Sequence, residues 1–161
     1  MSTLSVDTIS EKTSGNGVAI AGHVIQVVTT SLGSPITYSS SSLAKVDLMT
    51  LNITPKLNTS KILVLCHLGL YINSSAAESR GNLGIERDST IIRGRNDSNG
   101  TSFFRDGNGH FKSYMTSFNF LDSPATTSAV SYKAFIVGDT FTAGGHIDNY
   151  HTDMTLLEIA Q

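Results

Sequence analysis

From Lys61 to Ile72 the chain alternates without a break. The even positions are Ile62, Val64, Cys66, Leu68, Leu70 and Ile72, and the odd ones are Lys61, Leu63, Leu65, His67, Gly69 and Tyr71. A period of two with one wholly apolar face predicts a long strand on a core, its other face partly covered. Two further stretches repeat the pattern. His110 to Phe120 sets Tyr114, Phe118 and Phe120 against Ser113, Ser117 and Asn119, and Val130, Tyr132, Ala134 and Ile136 make a third apolar face. No window offers an i, i+3, i+4 stripe of helix formers, so the chain reads as all-β.

Turn chemistry divides these runs. Asp88-Ser89, between Ile85-Glu86-Arg87 and Thr90-Ile91-Ile92, predicts a hairpin with Arg87 opposite Thr90 and Ile85 opposite Ile92. Asn99-Gly100, Asp106-Gly107 and Asn108-Gly109 are further turn signals. Thr54-Pro55 and Ser123-Pro124 end strand runs, because proline cannot donate to a ladder. The serines from Ser39 to Ser42 read as a loop. Val46 and Leu48 give way to the opposite parity at Met49, Leu51 and Ile53, as Met154 and Leu156 do at Leu157 and Ile159. Such a shift predicts a β-bulge in each strand, with burial of both faces as the alternative.

Residues 24–161 therefore hold some eight to ten short strands, the pattern of a jelly-roll-like β-sandwich. Residues 1–23 differ and read as a short N-terminal β-arm. Leu4, Val6 and Ile9 alternate, Ser14-Gly15-Asn16-Gly17 breaks the chain, and Val18 and Ile20 alternate again. So few apolar residues cannot bury a core, and an isolated pair of strands is marginal in water. The arm must lie on its own sandwich, on sister chains or on another protein.

Composition narrows the function. Charged residues are 15% of the 161, against about 25% in an average domain. With a net charge of -2, no basic surface for nucleic acid is expected. Ser and Thr supply a quarter of the chain, so hydroxyls rather than charges wet its surface. The single Cys66 excludes an intrachain disulfide framework and any multi-Cys zinc site, and its parity makes it a core thiol. No secretion signal is read at the start, and the longest apolar run falls short of the roughly 18 residues of a membrane span.

Catalytic constellations are weak. Twenty-two serines and five histidines make chance triads unavoidable, and no Gly-x-Ser-x-Gly elbow occurs. His146, Asp148, His151 and Asp153 crowd one segment but read as a polar loop, unless His67, His110 or His151 joins a site across a symmetry axis. Glu86 and Asp88 flank a hairpin without a cleft for a sugar. Gly15, Gly17 and Gly22 have the wrong spacing for a dinucleotide, and the Asp-Asn-Gly turns lack the ligand run of a calcium loop. No catalytic residue, metal or cofactor is expected. The remaining candidates are loops 96–109 and 143–153, where amides beside aromatics suit a polar ligand such as a glycan. Asn99, His110, Tyr150 and His151 are the expected contacts, with solvated loops as the alternative.

Three passages carry a family resemblance. Leu4-Ser5-Val6-Asp7-Thr8-Ile9 with Thr13-Ser14-Gly15-Asn16-Gly17-Val18 resembles the strand-turn-strand that opens many phage fibre chains. Leu51-Asn52-Ile53-Thr54-Pro55-Lys56 with Thr59-Ser60-Lys61-Ile62-Leu63-Val64 is similar to a passage of their C-terminal β-domains. Arg87-Asp88-Ser89-Thr90 and Leu156-Leu157-Glu158-Ile159-Ala160 resemble that domain's central hairpin and last strand. The chain thus resembles tail fibres of tailed bacteriophages, particularly marine and cyanobacterial ones, though without an extended shaft after Gly22. The resemblance implies a homotrimer in the virion, made in the bacterial host's cytoplasm, whose jelly roll attaches to a host-surface glycan or receptor. Leu4, Val6, Ile9, Val18 and Ile20 would then dock it to other tail or capsid proteins or to its sister chains. A trimeric decoration protein cementing the capsid is the first alternative, and an enzyme acting on capsular polysaccharide the second.

Overall fold

The structure is a computed structural model and describes residues 5–10, 20–34, 36–40, 44–73, 79–94, 104–106, 111–139, 141–145 and 152–161. They form β1 (Val24–Ser31), β2 (Ile36–Ser40), β3 (Ala44–Ile53), β4 (Lys61–Asn73), β5 (Ser79–Arg87), β6 (Thr90–Arg93), β7 (Phe104–Asp106), β8 (Phe111–Asp122), β9 (Val130–Asp139), β10 (Phe141–Gly145) and β11 (Asp153–Ile159). The all-β expectation holds, with more strands than the eight to ten foreseen. β2 takes in Ser39 and Ser40, which the sequence had suggested for a loop.

All ladders are antiparallel and fall into two sheets. β4 organises the first: β8 pairs along it from Ile62 to Asn73, while β11 pairs with its first half and β10 with its last four residues. β1 lies outside β11, and β2 outside β10. The second sheet runs β3-β9-β5-β6, with β7 also on β5. Without the short β2, β7 and β10, eight strands remain. By rank in the chain their order is first, eighth, third, sixth in one sheet and second, seventh, fourth, fifth in the other. Strands distant in sequence become neighbours, as the paired Greek keys of a jelly roll require.

The core lies between the sheets. Ile62, Val64, Cys66 and Leu68 of β4 and Met154 and Leu156 of β11 face Leu83, Ile85, Val130, Tyr132, Ala134 and Ile136, all buried in one cluster. The expected faces of β4 and β9 are thus the core faces. One polar contact ties the sheets together. Asp122, at the end of β8, accepts from Arg87 Nη1 at 2.6 Å and from Tyr132 Oη at 2.7 Å, joining it to neighbouring residues of β5 and β9.

The parity shifts resolve differently. In β3 the register slips between Asp47 and Met49, so Leu48 is the extra residue of a bulge and both Leu48 and Met49 are buried. β11 has no bulge: its ladder with β4 is continuous and burial alternates throughout. Its inward parity continues to Glu158, so Leu157 and Ile159 stay on the other face. The apolar pattern appeared to change phase because a carboxylate occupies the third core position.

Asp88-Ser89 is the expected two-residue turn, with Arg87 opposite Thr90. Asp88 takes a φ of 54°, which its short polar side chain tolerates, and its Oδ1 accepts from Ser131 N–H at 3.0 Å. Ile85, however, pairs with Arg93 rather than Ile92, because the register shifts by one residue above Glu86. Close packing accompanies the shift. A methyl group on Gly84 would meet the Phe135 ring at 2.3 Å and the Arg93 carbonyl at 2.6 Å, so only glycine fits beneath that ring. Gly94 ends the bulged strand at a φ of 79°.

Candidate functional site

The site is built around the root of the arm. Glu158, wholly buried, accepts from Lys56 N–H at 2.8 Å, Leu57 N–H at 3.1 Å, Ser60 Oγ at 2.5 Å and Gln26 Nε2 at 2.5 Å. Gln26 Nε2 also reaches the Thr54 carbonyl at 2.7 Å. One carboxylate therefore fastens β1 and the turn between β3 and β4 to the last strand. Burial pushes the Glu158 pKa upward, but the donors from Ser60, Lys56, Gln26 and Leu57 outweigh it and hold the group below its ordinary value.

Beside this anchor residues 20–23 lead into β1. Gly22 N–H donates to the Ala160 carbonyl and Ala160 N–H to the His23 carbonyl, both at 2.9 Å, and these bonds pin the chain just before β1. Residues 5–10 carry no strand pairing and are fully on the surface, with Val6 50% and Ile9 56% exposed; Ile20 is 41% exposed. The expected arm strand is not formed over residues 5–10, and no ladder joins them to any other described residue. Leu4 and Val18 lie outside the described residues.

The arm root borders the outer face of the first sheet. Leu121 of β8, Leu63 of β4, Leu157 of β11 and Val27 of β1 stand opposite one another in register, forming an apolar row across four strands. Leu65, Val24 and Ile159 lie beside the row, and Met115 farther along β8. Val24, Val27, Leu65, Met115 and Leu121 are each between 39% and 56% exposed. The next row, Asn119-Leu65-Thr155-Thr29, is uncharged, with a hydroxyl contact of 3.1 Å between Thr29 and Thr155.

The other sheet presents a different outer face. Lys45 bridges Asp47 and Glu86 at 2.8 Å each, and Lys133 lies 3.3 Å from Asp47 and 3.7 Å from Glu86. Burial alone would lower the Lys45 pKa, yet Asp47 and Glu86 hold it above its ordinary value. Lys45 also stands 5.2 Å above the Phe135 ring. One broad face is a network of matched charges, whereas the opposite one is apolar with hydroxyls.

A third row, Ser117-His67-Asp153-Ser31, contains a serine, a histidine and an aspartate on adjacent strands. His67 Nδ1 lies 3.0 Å from Ser117 Oγ, in an open depression of about 220 Å³ that Asp153 also lines. Among the described residues Asp153 accepts no hydrogen bond from the His67 ring. Among the described residues the row therefore has no carboxylate bonded to the histidine as its orienter. Cys66 is buried, and burial with nearby Asp153 pushes its thiol up to about 12, leaving no thiolate at neutral pH. No group of three or more His, Cys, Asp or Glu among the described residues is placed to hold a metal.

Asn99, His110, Tyr150 and His151 lie outside the described residues. The two expected binding loops are partly strand: β7 occupies Phe104–Asp106, and β10 includes Ala143 to Gly145. The sequence reading missed the apolar row. Its signal was present in Leu63 and Leu65, on a strand whose other face already meets the core, and in Leu157 and Ile159, taken for the far side of a bulge.

No family model and no curated protein matches the chain. Among solved structures it is similar to a chain of the infectious bursal disease virus Gx strain, at 16% identity and a TM-score of 0.47, over 84% of this chain and 32% of that one. It is also similar to the VP2 subviral particle of that virus, at 16% identity and a TM-score of 0.44, over 84% and 32%. For the T13 particle the values are 17% and 0.42, over 84% and 36%. This chain spans about a third of the length of those chains. Likeness of this degree carries no inference about function.

Proposed function

We propose that this chain is a virion structural protein of a tailed bacteriophage, a short tail fibre in which residues 24–161 attach to the host surface and residues 1–23 join the fibre to its assembly. The observation that carries the reading is the exposed arm. Val6, Ile9 and Ile20 stay 41–56% exposed, and full burial of such side chains is worth up to roughly 1.5–3 kcal/mol each. The three motifs that resemble phage fibres support the same assignment, and two coincide with structural joints: Lys56 and Ser60 of the second passage donate to Glu158 of the third, and Arg87 of the third holds Asp122. Attachment is non-covalent, and several copies acting together raise weak contacts into firm adsorption.

The test is adsorption of the fluorescently labelled full chain to a panel of cyanobacterial cells and, separately, to empty phage capsids. Binding to cells is the expected result. Adsorption to capsids with none to cells would reverse the reading in favour of a decoration protein. Release of new reducing ends from host polysaccharide would make it an enzyme instead.

A further inference from the structure

We propose that the outer face of the β1-β11-β4-β8 sheet is an interface between copies of this chain, and that the segment seated on it is the N-terminal arm of a neighbouring copy. The inference rests on the assembly reading above and names the first partner within it.

The row Leu121-Leu63-Leu157-Val27 crosses four strands in register. At about 4.8 Å per strand it is a straight apolar stripe about 14 Å long. Charge on this face lies at its ends, with Lys61 beside Ile159 and Asp153 beside His67. The arm matches it chemically. Leu4, Val6 and Ile9 are separated by serine and threonine, and the only charged side chain in residues 1–10 is Asp7, opposite in sign to Lys61.

Position agrees with chemistry. The bonds between Gly22, His23 and Ala160 release the arm next to Val24 and Ile159, at the border of the stripe. Both halves of a contact are thus present on each copy, and among the described residues Val6 and Ile9 stay about half exposed. Size supports exchange as well. Four strands about 4.8 Å apart and seven residues of β11 outline a face of roughly 430 Å². A standard interface needs about 800 Å² per partner, so the face supplies half and an arm crossing from the neighbour supplies the remainder. β8 adds an open edge: among the described residues it pairs with β4 alone, and its 12 residues carry only Lys112 and Asp122 as charges.

The experiment is sedimentation velocity on the full chain, with Val27→Asp/Leu121→Asp as the interface variant and Thr50→Asp, on the charged sheet, as control. Both interface positions are exposed, so circular dichroism should stay that of the wild type. Wild type and control should sediment as one oligomer, and the interface variant as a monomer. Mixing differently tagged chains bearing Val6→Cys and Leu121→Cys should yield a disulfide joining the two tags. A monomeric wild type, an interface variant that still assembles, or a Val6→Cys/Leu121→Cys chain that closes only on itself would overturn the proposal. A monomer that adsorbs to cells would end this inference and leave the attachment reading standing; an oligomer that adsorbs to neither target would do the reverse.

Discussion

At the scale of single residues, Glu158 shows how a charged group can belong to a core. Its carboxylate is surrounded by donors from residues 26, 56, 57 and 60, and this compensates its removal from water. Glu158→Gln replaces the charged acceptor with an amide whose NH₂ faces other donors, and should cost about 2 kcal/mol at neutral pH. Because the folded pKa lies below the ordinary 4.5, the stabilisation is fully present above that value and is lost as pH falls through the folded pKa. The gap between wild type and Glu158→Gln in urea unfolding should therefore narrow in acid; parallel pH profiles would refute the role. Leu68→Asp, at a fully buried position, should destabilise by about 4 kcal/mol or more, measured by thermal melting. The Leu68 face could be read from alternation alone, because every position obeyed it. The end of β11 could not, since periodicity treats glutamate as a surface residue and only tertiary structure reveals its donors.

At the scale of elements, β4 serves two half-ladders on one side. β11 pairs with it as far as His67 and β10 from Leu70 onward, leaving Leu68 and Gly69 between them. Thr152 fills the gap: its Oγ1 accepts from Gly69 N–H at 3.0 Å and donates to Gly69 O at 3.2 Å, while its own carbonyl accepts from Leu32 N–H at 2.8 Å. A side chain thus completes a backbone ladder. Thr152→Val keeps the shape and removes the hydroxyl, leaving two buried backbone groups unpaired, and should cost about 2–4 kcal/mol by chemical denaturation. In the other sheet, Gly84→Ala must push aside the Phe135 ring or the Arg93 carbonyl and should cost about 1–3 kcal/mol by the same measurement. The hairpin turn was legible in Asp88-Ser89 because turn residues act locally. Its shifted register was not, because the tight contact of Phe135 with Gly84 beside it involves another strand.

At the scale of the whole molecule, the two outer faces divide the surface into a charge-matched side and an apolar side. The arm leaves beside the apolar one. Removing residues 1–19 keeps Gly22 and His23 and their bonds to Ala160, so the β-domain should retain its circular dichroism and melt within a few degrees of the full chain. Loss of all β signal on that truncation would show that the arm belongs to the fold itself. The exposure of Val6, Ile9 and Ile20 was legible from how few apolar residues that segment holds. The face beside it was not, because opposing Leu121, Leu63, Leu157 and Val27 requires the ladders of four strands separated widely in sequence.

β11 lies between β1 and β4, so the earliest strand of the sandwich waits for the latest before it acquires a neighbour in its own sheet. During synthesis, most of the polypeptide must emerge from the ribosome with a slot open in the middle of its sheet. The slot closes only when the last strand slides in, bringing the carboxylate that fastens three distant stretches. A chain that has not yet placed β11 thus presents two raw edges, those of β1 and of the first half of β4.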